Sequence, residues 1–387
     1  MGSPSRRLLT PSGQWIPAFA GMTVGGNAWP DSERVGDGSG ANPLASLRQH
    51  PHILAMTAYS LLDLVPVVQG GTVGQALANA ADLAAHAERL GFRRYWMAEH
   101  HGMEGIASAA TAVVIAHVGH ATSTIRIGAG GIMLPNHSPL QVAEAFGTLD
   151  ALFPGRIDLG LGRAPGSDQR VAAAIRRNST SDGNEFPQDV MELQSYFADD
   201  GRTGVRATPG AGADVKLWIL GSSTFGAQLA AALGLPYAFA SHFAPGLLDE
   251  AIAVYRRNFR PSEALAKPHV MLGFNVFAAD TDDEAERLAS SQQQAFVAIR
   301  TTGRGIQLPP PVRGYRESLG AQGNAMLDQV LSASAIGGPA KVRREIDAFL
   351  ERTQADELML TSAMFDHQAR KRSLEIAAEA MRAVEPA

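Results

Sequence analysis

The sequence predicts an α/β fold, a (β/α)8 TIM barrel, and three observations predict it. From Met56 onward, apolar runs of strand length alternate with stretches of helical period, giving eight strand–helix units. Strands alternating with helices form a parallel sheet with helical crossovers, and eight such units in about 330 residues fit a closed barrel with insertions. No Pro/Gly-rich linker divides this region, as a doubly wound open sheet spread over two domains would require. Titratable residues and glycines also recur just after the strands, the end of a barrel where active sites lie.

The elements follow in order. "YSLLDLVPVV" is the first strand, and "GQALANAADLAAHAERLGF" is a helix with Leu77, Ala80, Ala84, Ala87 and Leu90 near one face. Gly91 stands where a left-handed C-cap belongs. "RRYWMAE" is the second strand, followed by the helix "SAATAVVIAHVGHAT", on which His117 and His120 read as ordinary helix-face residues. "IRIGAGGIML" is the third strand, "PLQVAEAFGTLDALF" a helix closed by "PGR", and "IDLGLG" the fourth strand. An irregular insertion follows, over about 163–213.

The alternation then resumes with strand "VKLWILG" and helix "STFGAQLAAALGL", capped by Gly234. Strand "PYAFA", helix "PGLLDEAIAVYRRNF" and strand "HVMLGFNVFAA" come next. "TDDEAERLASSQQQAFVAIR" is a helix whose acidic first turn suits the helix dipole. A second insertion, with "LPPPVRGY", spans 303–325. Helix "PAKVRREIDAFLERT" presents Val342, Ile346, Phe349 and Leu350 on one side; "ADELMLTSAM" is the last strand, and a final helix reaches the C-terminus.

Composition narrows the function classes. A net charge of −5 with scattered basic residues gives no reason to expect nucleic acid or an anionic membrane as partner. The absence of cysteine excludes disulfides, thiolate catalysis and cysteine-ligated metal. No apolar stretch is long enough to span a bilayer, so a cytoplasmic location is expected. Residues 1–55, rich in Gly, Pro and Ser and without period, read as a disordered leader outside the barrel domain of 56–387. Pro11, Gly13, Gln14 and Pro17 break any signal-peptide core. "WIPAFAGMT" is similar to translated repetitive DNA, and Met56 is the expected natural start.

Four motifs carry chemistry, each beside a plainer reading. In "EHH", Glu99, His100 and His101 end strand two; a strand-end histidine is a candidate general acid or base, and otherwise a structural pair bonded to loop carbonyls. Adjacent side chains on a strand point oppositely, so one imidazole enters the pocket and no metal site is expected. In "LGSSTFGAQLAA", Ser222 and Ser223 open a helix, which makes either an anion site or a plain N-cap; Arg163, after strand four, is the matching cation. In "GAGG", Gly130 and Gly131 permit close backbone approach to a flat ligand, or a bulge. Asp63, an acid within an apolar run, needs a partner, at the barrel mouth or in a structural ion pair.

Together these residues are familiar. "SLLDLVPV", "AEHH", "GIASAA", "TSTIRIGAGGIMLPNHSPLQVAEAFGTLDALFPGRIDLGLGRAPGSD", "WILGSSTFGAQLAAALGLPYAFASHFAP" and "DELML" resemble the bacterial luciferase-like flavin-dependent monooxygenases, most closely the single-chain alkanal monooxygenase-like branch. The resemblance runs from Met56 to nearly the C-terminus. It implies a barrel enzyme that uses reduced FMN, supplied by a separate flavin reductase, and O2. A C4a-peroxyflavin would oxygenate a small apolar substrate such as an aldehyde. His100 matches the catalytic histidine, and Asp63 or His137 would complete its proton relay. Gly130–Gly131 match a cis peptide beneath the flavin ring, with Ala98 nearby. Arg163, Ser222 and Ser223 match the phosphate site. Gly226 departs from the pattern, since many relatives carry Ser or Thr there. The resemblance also implies a homodimer, and the stretch at 163–185 reads as a lid. Two other readings share the fold: an F420-dependent hydride-transfer oxidoreductase, and a flavin-binding relative without turnover. Intact "EHH", "GAGG" and Arg163 weigh against the latter.

Overall fold

The computed structural model describes residues 57–163, 169–176 and 183–382. The leader expected at 1–55 lies outside the described residues, as does much of the stretch expected to act as a lid. The strands are β1 (Ala58–Asp63), β2 (Arg94–Met97), β3 (Arg126–Met133), β4 (Ile157–Gly162), β5 (Lys216–Gly221), β6 (Tyr237–Phe239), β7 (Val270–Ala278), β8 (Ser334–Gly337) and β9 (Glu357–Thr361). The helices are α1 (Val73–Arg89), α2 (Thr111–His120), α3 (Pro139–Leu152), α4 (Gln169–Arg176), α5 (Phe186–Ala198), α6 (Thr224–Leu233), α7 (Leu248–Asn258), α8 (Asp282–Thr302), α9 (Tyr315–Ser318), α10 (Ala321–Val330), α11 (Pro339–Thr353) and α12 (His367–Met381).

Every ladder is parallel. Strands β1 to β7 pair in order, β7 pairs with β9, and β9 returns to β1. That closes a barrel of eight strands, as the alternation predicts. β8 stands outside the ring. The long β7 gives Met271–Asn275 to β9 and Asn275–Ala278 to β8. The sequence reading has no strand there, because "SAIG" is only four residues with a single large apolar side chain, too short for a period to register.

Side chains alternate across a strand, so each strand divides its residues between the barrel interior and the helical layer. Leu61, Tyr95, Met97, Leu272 and Leu360 join the large core against the helices. Leu62, Trp96, Ala98, Trp218, Met271 and Met359 form a separate apolar layer inside the ring. Below that layer the interior is charged. Arg94 donates to Asp158 Oδ2 at 2.8 Å and to Glu357 Oε1 at 2.9 Å. Trp96 Nε1 and Arg126 complete the Asp158 carboxylate, while Ser60 and His269 meet Glu357. These charges are shielded from solvent, so they hold only as a mutually satisfied group.

The insertion at 303–325 folds back over the C-terminal rim. Leu308 pairs with the backbone of Val67 and Gln69, and Ile306 lies against Gly105 so closely that a β-carbon there would sit 2.0 Å from the Ile306 carbonyl oxygen. The loops after β1 and β2 are thus stitched to this segment.

Removing Arg94 takes away the one cation shared by both buried carboxylates, leaving Asp158 to Arg126 and Glu357 to His269. Arg94→Ala is expected to cost roughly 3–5 kcal/mol of stability, read from urea unfolding; a cost below about 1 kcal/mol contradicts the ion plug. The pH dependence carries a sign. Burial alone would raise the Glu357 pKa, but the His269 hydrogen bond, the Arg94 charge and Ser60 outweigh it and hold it at about 2. Its stabilisation is therefore present above the ordinary carboxylate range and lost as pH falls through about 2.

Candidate functional site

The strand ends assemble the mouth, and β2 contributes most. Its inward series of Arg94, Trp96 and Ala98 continues to His100, and its outward series of Tyr95 and Met97 continues to Glu99 and His101. The two adjacent histidines therefore part, as expected for neighbours on an extended chain. His100 is half-buried, and its Nδ1, screened from solvent, has no hydrogen-bond partner. Burial pushes its pKa below the ordinary histidine value, opposed only in part by the Glu99 charge and the Ala98 backbone.

Glu99 acts on the other face. Its Oε1 accepts from Nε2 of His101 at 2.6 Å and of His137 at 2.7 Å, and its Oε2 accepts from the Met133 amide at 2.8 Å. Burial works to raise its pKa, but these donors, His137 foremost, hold it below the ordinary range. The loop after β2 is so tied to the end of β3. Ligand atoms of Glu99, His101 and His137 lie within 4.8 Å of one another. A zinc-like ion holds each N or O ligand at about 2.0–2.2 Å, which spaces ligands about 3 Å apart or more. Contacts of 2.6 and 2.7 Å are those of hydrogen bonds, too close to flank such an ion.

The Gly130–Gly131 peptide is cis, and the β3–β4 register shifts between Gly130 and Ile132, so the bulge and the close approach coincide. A β-carbon would lie 2.8 Å from the Trp96 ring at Gly130 and 2.6 Å from the Gly160 carbonyl oxygen at Gly131. Ala98 is buried beside this floor, and its carbonyl accepts from Ser108 Oγ at 2.6 Å.

Asp63 is placed elsewhere. It has the parity of Leu61, and it faces the helical layer, where Arg370 of α12 donates to it at 2.8 Å and Tyr95 and the Val65 amide also donate. Burial would raise its pKa, but Arg370, Tyr95 and Val65 together hold it down. Of the two partners left open for Asp63, the structure has the buried ion pair, and the carboxylate does not reach the mouth.

At the far side of the mouth, Ser223 occupies the N-cap position of α6, yet its side chain caps nothing. Arg163 is exposed, and its guanidinium lies 4.1 Å from the ring of Phe225, in the first turn of α6. A cation, two serines and the free N–H groups of a helix start thus converge, a donor set suited to a phosphate. At Gly226 a β-carbon would lie 3.3 Å from both the Leu220 carbonyl oxygen and the Tyr237 ring, so a larger residue there needs these neighbours to give by a few tenths of an ångström. The Tyr237 hydroxyl donates to the Ser223 carbonyl at 3.1 Å. A cleft of about 320 Å³ opens beside Ser222, lined by Phe243, Leu247, Arg300, Met326 and Val330.

One further mouth residue lies in a strand-end stretch that the sequence marks, although nothing there singles out the histidine. His242, in "SHFAP", follows β6, and its ring rests on Gly273 of β7, close enough to His100 to feel its charge. The strand-end position was the available signal; which side of the loop the ring takes depends on Gly273, 31 residues on in the chain.

A sequence model described as luciferase-like monooxygenase matches residues 56–357. A luciferase-like monooxygenase of Escherichia coli (strain K12) is 51% identical over 321 residues, covering 83% of this chain and 96% of that protein. The uncharacterized protein YvbT of Bacillus subtilis (strain 168) is 50% identical over 325 residues, covering 84% and 96%. The solved structure of apo-MsnO8 superposes with a TM-score of 0.76 at 33% identity, covering 85% of this chain and all of that one.

Glu99→Ala tests the tie between β2 and β3. It leaves the Met133 amide without its acceptor and frees both histidines. The expected cost is about 1–3 kcal/mol in urea unfolding; a cost under about 0.5 kcal/mol contradicts the tie.

Proposed function

Because this chain belongs to the luciferase-like monooxygenase family, and is on that ground a flavin-using oxidoreductase, we propose that it is an FMN-dependent monooxygenase that oxygenates a small apolar substrate, such as an aldehyde, by way of a C4a-peroxyflavin. The observation that carries the FMN reading is Arg163, stacked on Phe225 one turn from the uncommitted Ser222 and Ser223. Reduced FMN, when bound, supplies two electrons and the reaction with O2: one oxygen atom goes to the substrate and the other leaves as water.

The chain's own residues bind and shield. Arg163, Ser222, Ser223 and the first N–H groups of α6 hold the phosphate. Gly130 and Gly131, without side chains, leave a flat floor for the ring, with Ala98 at its edge. The apolar layer of Leu62, Trp96, Trp218 and Met271 beneath them keeps water from the reaction. His100, kept neutral near pH 7 by burial, can give or take a proton at a ring nitrogen. Asp63 positions β2 through Tyr95 and Arg370 rather than acting on substrate. His137 serves with Glu99 to hold the loops. A flavin reductase that supplies the reduced cofactor, a homodimeric state and a cytoplasmic location belong to the same proposal. Among the described residues, no helix is long and apolar enough to cross a membrane.

Stopped-flow mixing of the reduced FMN complex with oxygenated buffer tests this. Wild type is expected to show a slowly decaying flavin–oxygen transient, and His100→Ala a faster decay with substrate turnover lowered by about 100-fold or more. If FMNH2 oxidises at its free-solution rate in both, the oxygenase reading fails, and titration with F420 decides whether the hydride-transfer reading replaces it.

A further inference from the structure

Two polar atoms in the barrel mouth lack partners: Nδ1 of His100 and Nδ1 of His242, both screened from solvent. His242 is firmly seated. Its carbonyl accepts from Asn275 Nδ2 at 2.9 Å, and Asn275 is itself fixed by Ser334 Oγ at 3.1 Å and Thr361 Oγ1 at 2.7 Å. Residues of β7, β8 and β9 thereby hold the loop. Gly273 makes the space for the ring, since a β-carbon there would lie 2.0 Å from His242 Nδ1. An aliphatic residue at 242 would fill that space without burying an unpaired nitrogen, which costs free energy wherever it occurs. Two such nitrogens, on imidazoles near enough to interact, mark a place built for a ligand's polar group.

We propose that His242 is a substrate-binding residue that, with His100, grips an uncharged oxygen-bearing group, a carbonyl or hydroxyl, at the reacting end of an otherwise apolar substrate. Its premise is the reading of this mouth as the flavin-reaction site. Burial, with the His100 ring adding to it, lowers the His242 pKa to about 4, and burial lowers that of His100 as well. Near neutral pH each ring therefore presents one N–H and one lone pair and no charge. Such a pair hydrogen-bonds a neutral oxygen but offers nothing to offset a carboxylate moved out of water. The surface below them, Ala98, Trp218 and Met271, suits an apolar chain.

The test is equilibrium binding to the full chain at pH 7, with decan-2-one and decanoate as probes. Trp96 and Trp218 lie in the layer beneath the mouth, so their fluorescence reports occupancy, and FMN is titrated in parallel. Wild type is expected to bind the ketone about tenfold or more tightly than the carboxylate. His242→Ala should weaken the ketone about tenfold while leaving FMN affinity within about twofold. His242→Asn, which keeps a polar atom near the place of Nδ1, should recover most of the loss. Gly273→Ala, which displaces the ring, should match His242→Ala and serves if that variant does not fold. Unchanged ketone binding in these variants overturns the assignment and leaves the flavin reading intact. A loss of FMN affinity as large as the ketone loss gives His242 to the cofactor and also overturns it. Wild type that binds no FMN counts against the flavin reading instead, and the ketone comparison still decides the role of His242.

Discussion

Closure of a parallel barrel forces every second side chain of β2 inward, and the rest of the mouth depends on that parity. Arg94 reaches the buried carboxylates of Asp158 and Glu357, Trp96 and Ala98 enter the apolar layer, and His100 arrives at the open end. The alternate residues serve the outer face: Tyr95 meets Asp63 and Arg370, and Glu99 meets His101 and His137. A slip of one residue would exchange the two sets. Arg94 would lose both carboxylates and His100 would leave the mouth. The ion plug at one end thus fixes the position of the imidazole at the other.

The barrel separates charge along its axis. The lower interior holds an arginine against two carboxylates, all paired, whereas the upper interior holds imidazoles that burial keeps neutral. At the rim, Arg163 places an exposed cation beside the start of α6. A ligand with a charged phosphate and an uncharged reacting end matches that order. The apolar layer between the two regions insulates the plug from whatever occupies the mouth.

Much of this was legible in the sequence, for stated reasons. The eight barrel strands and their order follow from strand and helix periods, which local composition determines. The parting of His100 and His101 follows from alternation alone. The outward direction of Asp63 was also implicit, since it shares the parity of Leu61, but a lone acid in an apolar run does not announce which parity is inward. The pairing of Glu99 with His137 needed the β2–β3 register, and the seat of His242 needed Gly273 and Asn275 from another strand. Strand β8 was hidden because four residues, with Ile336 the one large apolar side chain, carry almost no periodic signal.

The most direct test of the account is the structure of the chain with FMN bound. The account predicts the phosphate at the start of α6, against Arg163, Ser222 and Ser223, with the flavin ring over Gly130–Gly131 and His100 beside its reacting edge. A flavin bound outside the barrel mouth, or with its phosphate away from Arg163, would contradict it.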